Sequence, residues 1–158
     1  MKRLHDTVGS THDYVRFDIE GDAERIAARL TEILPLLDQH WESGFPDRAF
    51  WSERLPLWLR SQFRRQVTQE EIEAFTLSVL RLPAGSAERR ETAKDAPWTL
   101  DNWLLHFEPS EREWSGWRLD IIDERHLVLD VGAEEGLFPK DALLFALFAA
   151  GADTVNWI

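Results

Sequence analysis

The chain has 158 residues, 44% of them hydrophobic and 30% charged, which is one domain's length and an ordinary globular composition, enough to bury about 70% of the unfolded surface. It has no cysteine, which excludes disulfides, thiolate-held zinc, iron–sulfur clusters and cysteine nucleophiles. A formal charge of −11 argues against nucleic acid and anionic membrane as partners, because binding either depends on cationic neutralisation, and it suits a basic protein partner.

The opening Met1-Lys-Arg-Leu-His-Asp-Thr has no apolar run behind it, so it does not read as a secretory signal. The longest apolar stretch, 142–150, is too short to span a bilayer. A soluble cytoplasmic protein is expected. The acid lies towards the two ends: residues 1–42 hold nine carboxylates against five bases, residues 43–97 eight against nine, and residues 111–158 ten against four.

In chain order, residues 1–13 are polar, carry Gly9-Ser10-Thr11 and read as a flexible arm. Residues 14–158 then read as a single α+β domain. Tyr14 to Ile19 alternates, with Val15, Phe17 and Ile19 on one face, as a half-buried strand does. Asp22 is a good N-cap, and Ala23, Ile26, Ala27, Leu30, Ile33, Leu34 and Leu37 follow at helical spacing. Pro35 should kink or stop this helix near Leu34.

Residues 43–97 predict a helical segment followed by a mobile loop. Gly44 and Pro46 make a turn, and Pro56 suits a first helical position. Trp58, Leu59 and Phe63 face inward, with Arg60, Arg64 and Arg65 outward. Thr68 and Glu71 have capping-box spacing, and Ile72, Phe75, Val79 and Leu82 continue a helix that Pro83-Ala-Gly-Ser ends. Residues 83–97, with Glu88-Arg-Arg-Glu, read as the polar loop.

The last third predicts mainly strand. Trp103, Leu105 and Phe107 alternate with Leu104, His106 and Glu108, although a short helix fits the same residues. Glu108-Pro-Ser-Glu is a turn. Trp117, Leu119 and Ile121, then Leu127, Leu129 and Val131, form a hairpin around Asp123-Glu-Arg. After the loop at 132–136, Pro139 starts a helix whose core side is Leu143, Leu144, Leu147 and Phe148; Gly151 stops it, and Val155 and Trp157 lie on a final strand.

The expected fold is therefore α+β: a mainly antiparallel sheet of four to five strands, helices on one face, and a helical insertion, in the order β-α-αα-βββ-α-β. The strand–helix, strand–strand–helix–strand framework resembles a ferredoxin-like unit in topology, which by itself says nothing of function.

Catalytic motifs are missing. There is no HExxH pair, no G-x-S-x-G elbow, no Walker A and no G-x-G-x-x-G. Of the five histidines, His5 and His12 lie in the arm, His40 follows the first helix, and His106 and His126 lie on predicted strands. His126, Asp130 and Asp120 are metal-ligand residue types without metal-motif spacing, and a solvated histidine at a turn is the simpler reading. Neither a metal nor a cofactor is expected. Asp18, Asp120 and Asp130 fall on polar strand faces, interleaved with Arg16 and Arg118. Such a set could serve a carboxylate-based hydrolase or a metal-dependent enzyme, but ordinary cross-strand charge pairing on a solvated face is the simpler reading.

Eight tryptophans are the oddity of the composition. Trp58, Trp117 and Trp157 fall on apolar faces, whereas Trp98 and Trp114 border polar loops, where an aromatic ring beside acid suits a protein-binding anchor. The leading reading is an acidic, non-catalytic protein-binding module, in its most concrete form an immunity or antitoxin-like inhibitor of a basic partner such as a bacterial toxin. Its expected surface is Asp120, Asp123, Glu124, Asp130, Glu134 and Glu135, with Trp114 and Trp98. The alternatives are a small hydrolase or metal-dependent enzyme on the polar sheet face, and a structural subunit of a larger assembly.

Overall fold

Alternation and capping place most of the elements. In the computed structural model, residues 1–8, 13–39, 41, 43–64, 68–92, 97–108, 114–133 and 140–157 are described. Gly9-Ser10-Thr11, His12, His40, Arg65, the turn at 109–111, Glu134, Glu135, Gly136 and Pro139 lie outside them.

The strands are β1 (Lys2–Asp6), β2 (Tyr14–Glu20), β3 (Trp117–Asp123), β4 (His126–Gly132) and β5 (Thr154–Trp157). The helices are α1 (Ala23–Leu37), α2 (Arg48–Arg54), α3 (Leu57–Arg60), α4 (Gln69–Leu80), α5 (Ala87–Thr92), α6 (Leu100–Leu104, continued by a 3-10 turn to Phe107) and α7 (Asp141–Ala149). The five strands form one antiparallel sheet in the order β1-β3-β4-β2-β5. β4 lies between β2 and β3, so β2-α1-β3 is a split β-α-β unit, and β5 flanks β2. The result is the ferredoxin-like order with β1 added at the β3 edge.

The core lies between one sheet face and the helices. Val15, Phe17 and Ile19 of β2 meet Leu119, Leu127, Leu129 and Val131 on that face, and α1 buries its whole predicted stripe against them. Asp22 caps α1 by accepting from the Arg25 N–H at 3.2 Å. α7 is buried nearly all round, from Ala142 to Leu147, because the helical insertion covers its outer side. Phe63 lies 5.3 Å from Phe145, and Trp103 Nε1 donates to the Ala142 carbonyl at 2.8 Å. A helix with no polar face needs cover on both sides, and the insertion supplies the second.

Four expectations are corrected. Residues 2–6 are not an arm but the edge strand β1, which is held by partners more than a hundred residues away: Arg3 on Asp120, and the His5 ring stacked at 3.6 Å on Trp117. α1 does not stop at Leu34. Pro35 sits in the last turn on the solvent side, so only one terminal bond is forfeited, and the helix ends with the Asp38 N–H donating to the Leu34 carbonyl. Residues 100–107 are helical, since Leu100, Trp103, Leu104 and Phe107 are buried at three- and four-residue steps while Leu105 is 57% exposed. Thr99 caps that helix by accepting from the Asn102 N–H. Within the predicted loop, residues 87–92 form α5, with Ser86 Oγ accepting from the Arg89 N–H.

Candidate functional site

The sheet face opposite the helices carries the charged residues, and strand register sets them in rows. One row is Arg118, Asp130 and Arg16 across β3, β4 and β2; the next is Asp120, Val128, Asp18 and Asn156. Asp18, Asp120 and Asp130 therefore share a face with Arg16 and Arg118 between them, as the alternation implied. Their states differ. Asp130 is fully buried beneath two guanidiniums: Arg16 donates to both of its oxygens, at 2.9 and 3.1 Å, and Arg118 lies 3.8 Å away. Arg3 donates to Asp120 at 2.9 Å, and Arg3 and Arg118 both reach Asp6. The Tyr14 ring lies against Arg16 and Arg118. Hydrogen bonding to Asp130 raises the Arg16 pKa still further above its usual range, and Asp120 does the same to Arg3.

Paired in this way, Asp120 and Asp130 are not a free docking surface, and neither is presented for general acid–base chemistry. Trp114 is also buried, as part of the core behind the sheet. Among the described residues, no group of three His, Asp or Glu side chains is placed to hold a metal. Trp98 is half-buried beside His106, away from the sheet. Glu134 and Glu135 lie outside the described residues.

Asp123 and Glu124 are exposed, and the fold gives them company that the sequence order hides. They form the β3–β4 turn, which lies against the β2–α1 turn: the Gly21 N–H donates to the Arg125 carbonyl at 3.0 Å, and the Ala23 N–H to the Glu124 carbonyl at 3.1 Å. The turn before β5 joins them, with the Asp153 N–H donating to the Glu20 carbonyl at 2.8 Å. Three turns thus bring Glu20, Asp22, Glu24, Asp123, Glu124 and Asp153 to one end of the sheet, all exposed. The guanidiniums in these turns are those of Arg25 and Arg125. Arg125 is bound to Asp153 at 2.6 Å, which raises its pKa, with Glu20 and Asp22 adding to the effect.

Two local features shape this end. The Asp123 carboxylate accepts from the Arg125 N–H and meets His126 Nδ1, both at 2.8 Å, and these contacts, the backbone one foremost, hold its pKa below the usual carboxylate value. A cleft of about 300 Å³ runs onto the sheet face from here, lined by Asp18, Glu20, Ile122, His126, Val128 and Asn156 among others. Ile122, at a register irregularity in β3, is 44% exposed. Glu20, Asp22, Glu24 and Asp153 are not among the surface residues expected from the sequence: each lies near the boundary of a predicted element, but long-range pairing is what brings these boundaries together.

No family model, curated protein or solved structure matches this chain.

Proposed function

We propose that the protein is a non-catalytic binding module that docks a basic protein partner on this acidic end, in the manner of an immunity or antitoxin-like inhibitor. The observation that carries the reading is the gathering of six exposed carboxylates from three turns around two guanidiniums. A field of one sign speeds encounter with an oppositely charged protein. The adjoining cleft offers apolar surface at Ile122 and Val128 to the stem of a lysine or arginine, and carboxylates at Asp18 and Glu20 to its head. Asp120, Asp130 and Trp114 are buried and so are not part of the proposed docking surface.

The test is capture of partners from a lysate of the native organism, at low and raised salt, by tagged protein and by a Glu20→Lys, Glu124→Lys double variant. Both positions are exposed, so the variant is expected to fold as the parent does. A basic protein retained by the parent and lost by the variant is the expected result. Glu70→Lys, on exposed α4 surface, is expected to retain it. Equal retention by parent and double variant would overturn the assignment of this surface.

A further inference from the structure

A second cavity, far in sequence from the acidic turns, lies between α4, the stretch at 97–98, α6 with its 3-10 turn, and the first residue of α7. It holds about 360 Å³, within the range of small-molecule sites. Phe75, Trp98, Leu105 and His106 form its walls, and Asn102 and Asp141 add polar groups. The Trp98 and His106 rings, both in this lining, meet edge to face, 5.1 Å apart at 87°.

The chemistry of this lining selects its occupant. Aromatic planes favour a flat ring, which stacks on one and meets the edge of the other. Asp141 is the carboxylate of the lining, and no lysine or arginine is among the described lining residues, so a neutral or cationic ring is favoured over an anion. The α4 wall is unfinished. The helix has no fully buried residue, and Ile72 and Phe75, one turn apart, remain half-buried where they line the cavity. α4 is tied down at its first turn, where Arg64 donates to Glu71 at 3.0 Å and the Arg64 N–H donates to the Trp98 carbonyl at 2.9 Å. The Trp98 indole N–H is shielded from solvent and has no acceptor among the described residues, whereas those of Trp51 and Trp103 donate to carbonyls. Trp41 and Trp58 share the unpaired state, but Trp98 is the one that lines this cavity.

We propose that this cavity is a binding site for a small planar aromatic amine or nitrogen heterocycle, uncharged or cationic, seated between Phe75 and Trp98 with its amino group towards Asp141. The site is independent of the acidic end.

The test is NMR titration of the ¹⁵N-labelled full chain with 2-aminobenzimidazole as probe and 2-naphthoate as the anionic comparison. The expected result is a saturable shift of the Trp98 indole N–H and of the Phe75, Leu105 and His106 amides, with Kd on the order of 1 mM. The anion is expected to bind at least about tenfold more weakly, and Phe75→Ser to weaken the probe by a similar factor, while Trp41→Phe leaves it unchanged. Because α4 buries no residue fully, Phe75→Ser is expected to keep the parent's spectrum elsewhere. No saturable shift at these residues, equal binding of the anion, or undiminished binding by a folded Phe75→Ser variant would each overturn the proposal.

Discussion

Asp130 lies on the strand face that alternation marks as solvent-facing, yet it has no exposed surface. Arg16 and Arg118 lie over it and Tyr14 backs both, so the charge is removed from water by its own partners. Removing the carboxylate leaves two guanidiniums facing each other. Because Arg16 retains 38% of its side-chain exposure, the cost falls below that of a fully buried broken pair. Asp130→Ala is expected to lower unfolding free energy by about 2–3 kcal/mol in urea titrations, whereas Asp18→Ala, in the neighbouring row, is expected to stay within about 0.5 kcal/mol. Asp123 makes a different case. Its carboxylate accepts hydrogen bonds at the hairpin turn, so its folded pKa lies below the unfolded value. Its contribution to stability is therefore complete above about pH 4 and fades as pH falls through the folded value. A ¹³C titration of the Asp123 carboxyl is expected to give a midpoint below about 3.9; a midpoint at or above that value would contradict the geometry.

Among the elements, α3 and α4 show how unevenly the insertion is anchored. Leu59 in α3 is fully buried next to α7, while α4 leaves Leu77 55% and Leu80 63% exposed. Leu59→Ala is expected to cost about 2–5 kcal/mol, the usual range for emptying a buried leucine site. Leu77→Gln with Leu80→Gln is expected to remain within about 0.5 kcal/mol per substitution, measured by the same urea titrations. The Thr68–Glu71 box is only half made for a related reason. Thr68 Oγ1 accepts from the Glu71 N–H, but the Glu71 side chain turns to Arg64 instead of back to the cap. At the other end of the chain, β1 covers the outer edge of β3. It carries Lys2 and Arg3 and has a register irregularity between Arg3 and His5, features that discourage a further strand from pairing there.

Across the whole molecule, charge and topology act together. The excess of acid is spread through the first and last quarters of the chain, and the split β-α-β connection folds their turns onto one end of the sheet. The docking reading therefore carries a kinetic expectation. With the captured partner, Glu20→Lys, Glu124→Lys is expected to slow association by about tenfold or more at low salt, and to flatten its dependence on ionic strength. Glu70→Lys is expected to change either quantity far less. Stopped-flow association at several salt concentrations makes the comparison. No helix among the described residues is long and apolar enough to cross a membrane.

Most of the framework was legible in local sequence. Asp22 and Thr68 marked helix starts, the stripe from Ala23 to Leu37 marked a core-facing helix, and Val15-Phe17-Ile19 and Leu127-Leu129-Val131 marked one apolar sheet face. These signals are legible because capping and periodicity act between residues a few positions apart. Residues 103–107 misled because alternating and helical spacing overlap in so short a run, and burial of Leu104 with exposure of Leu105 decided between them. The polar strand β1, the burial of Asp120 and Asp130, and the meeting of Glu20, Asp22 and Asp153 with Asp123 and Glu124 were settled by tertiary structure alone. Each depends on pairing across more than 100 residues, and the free energy of such pairing lies in contacts that neither partner segment encodes by itself.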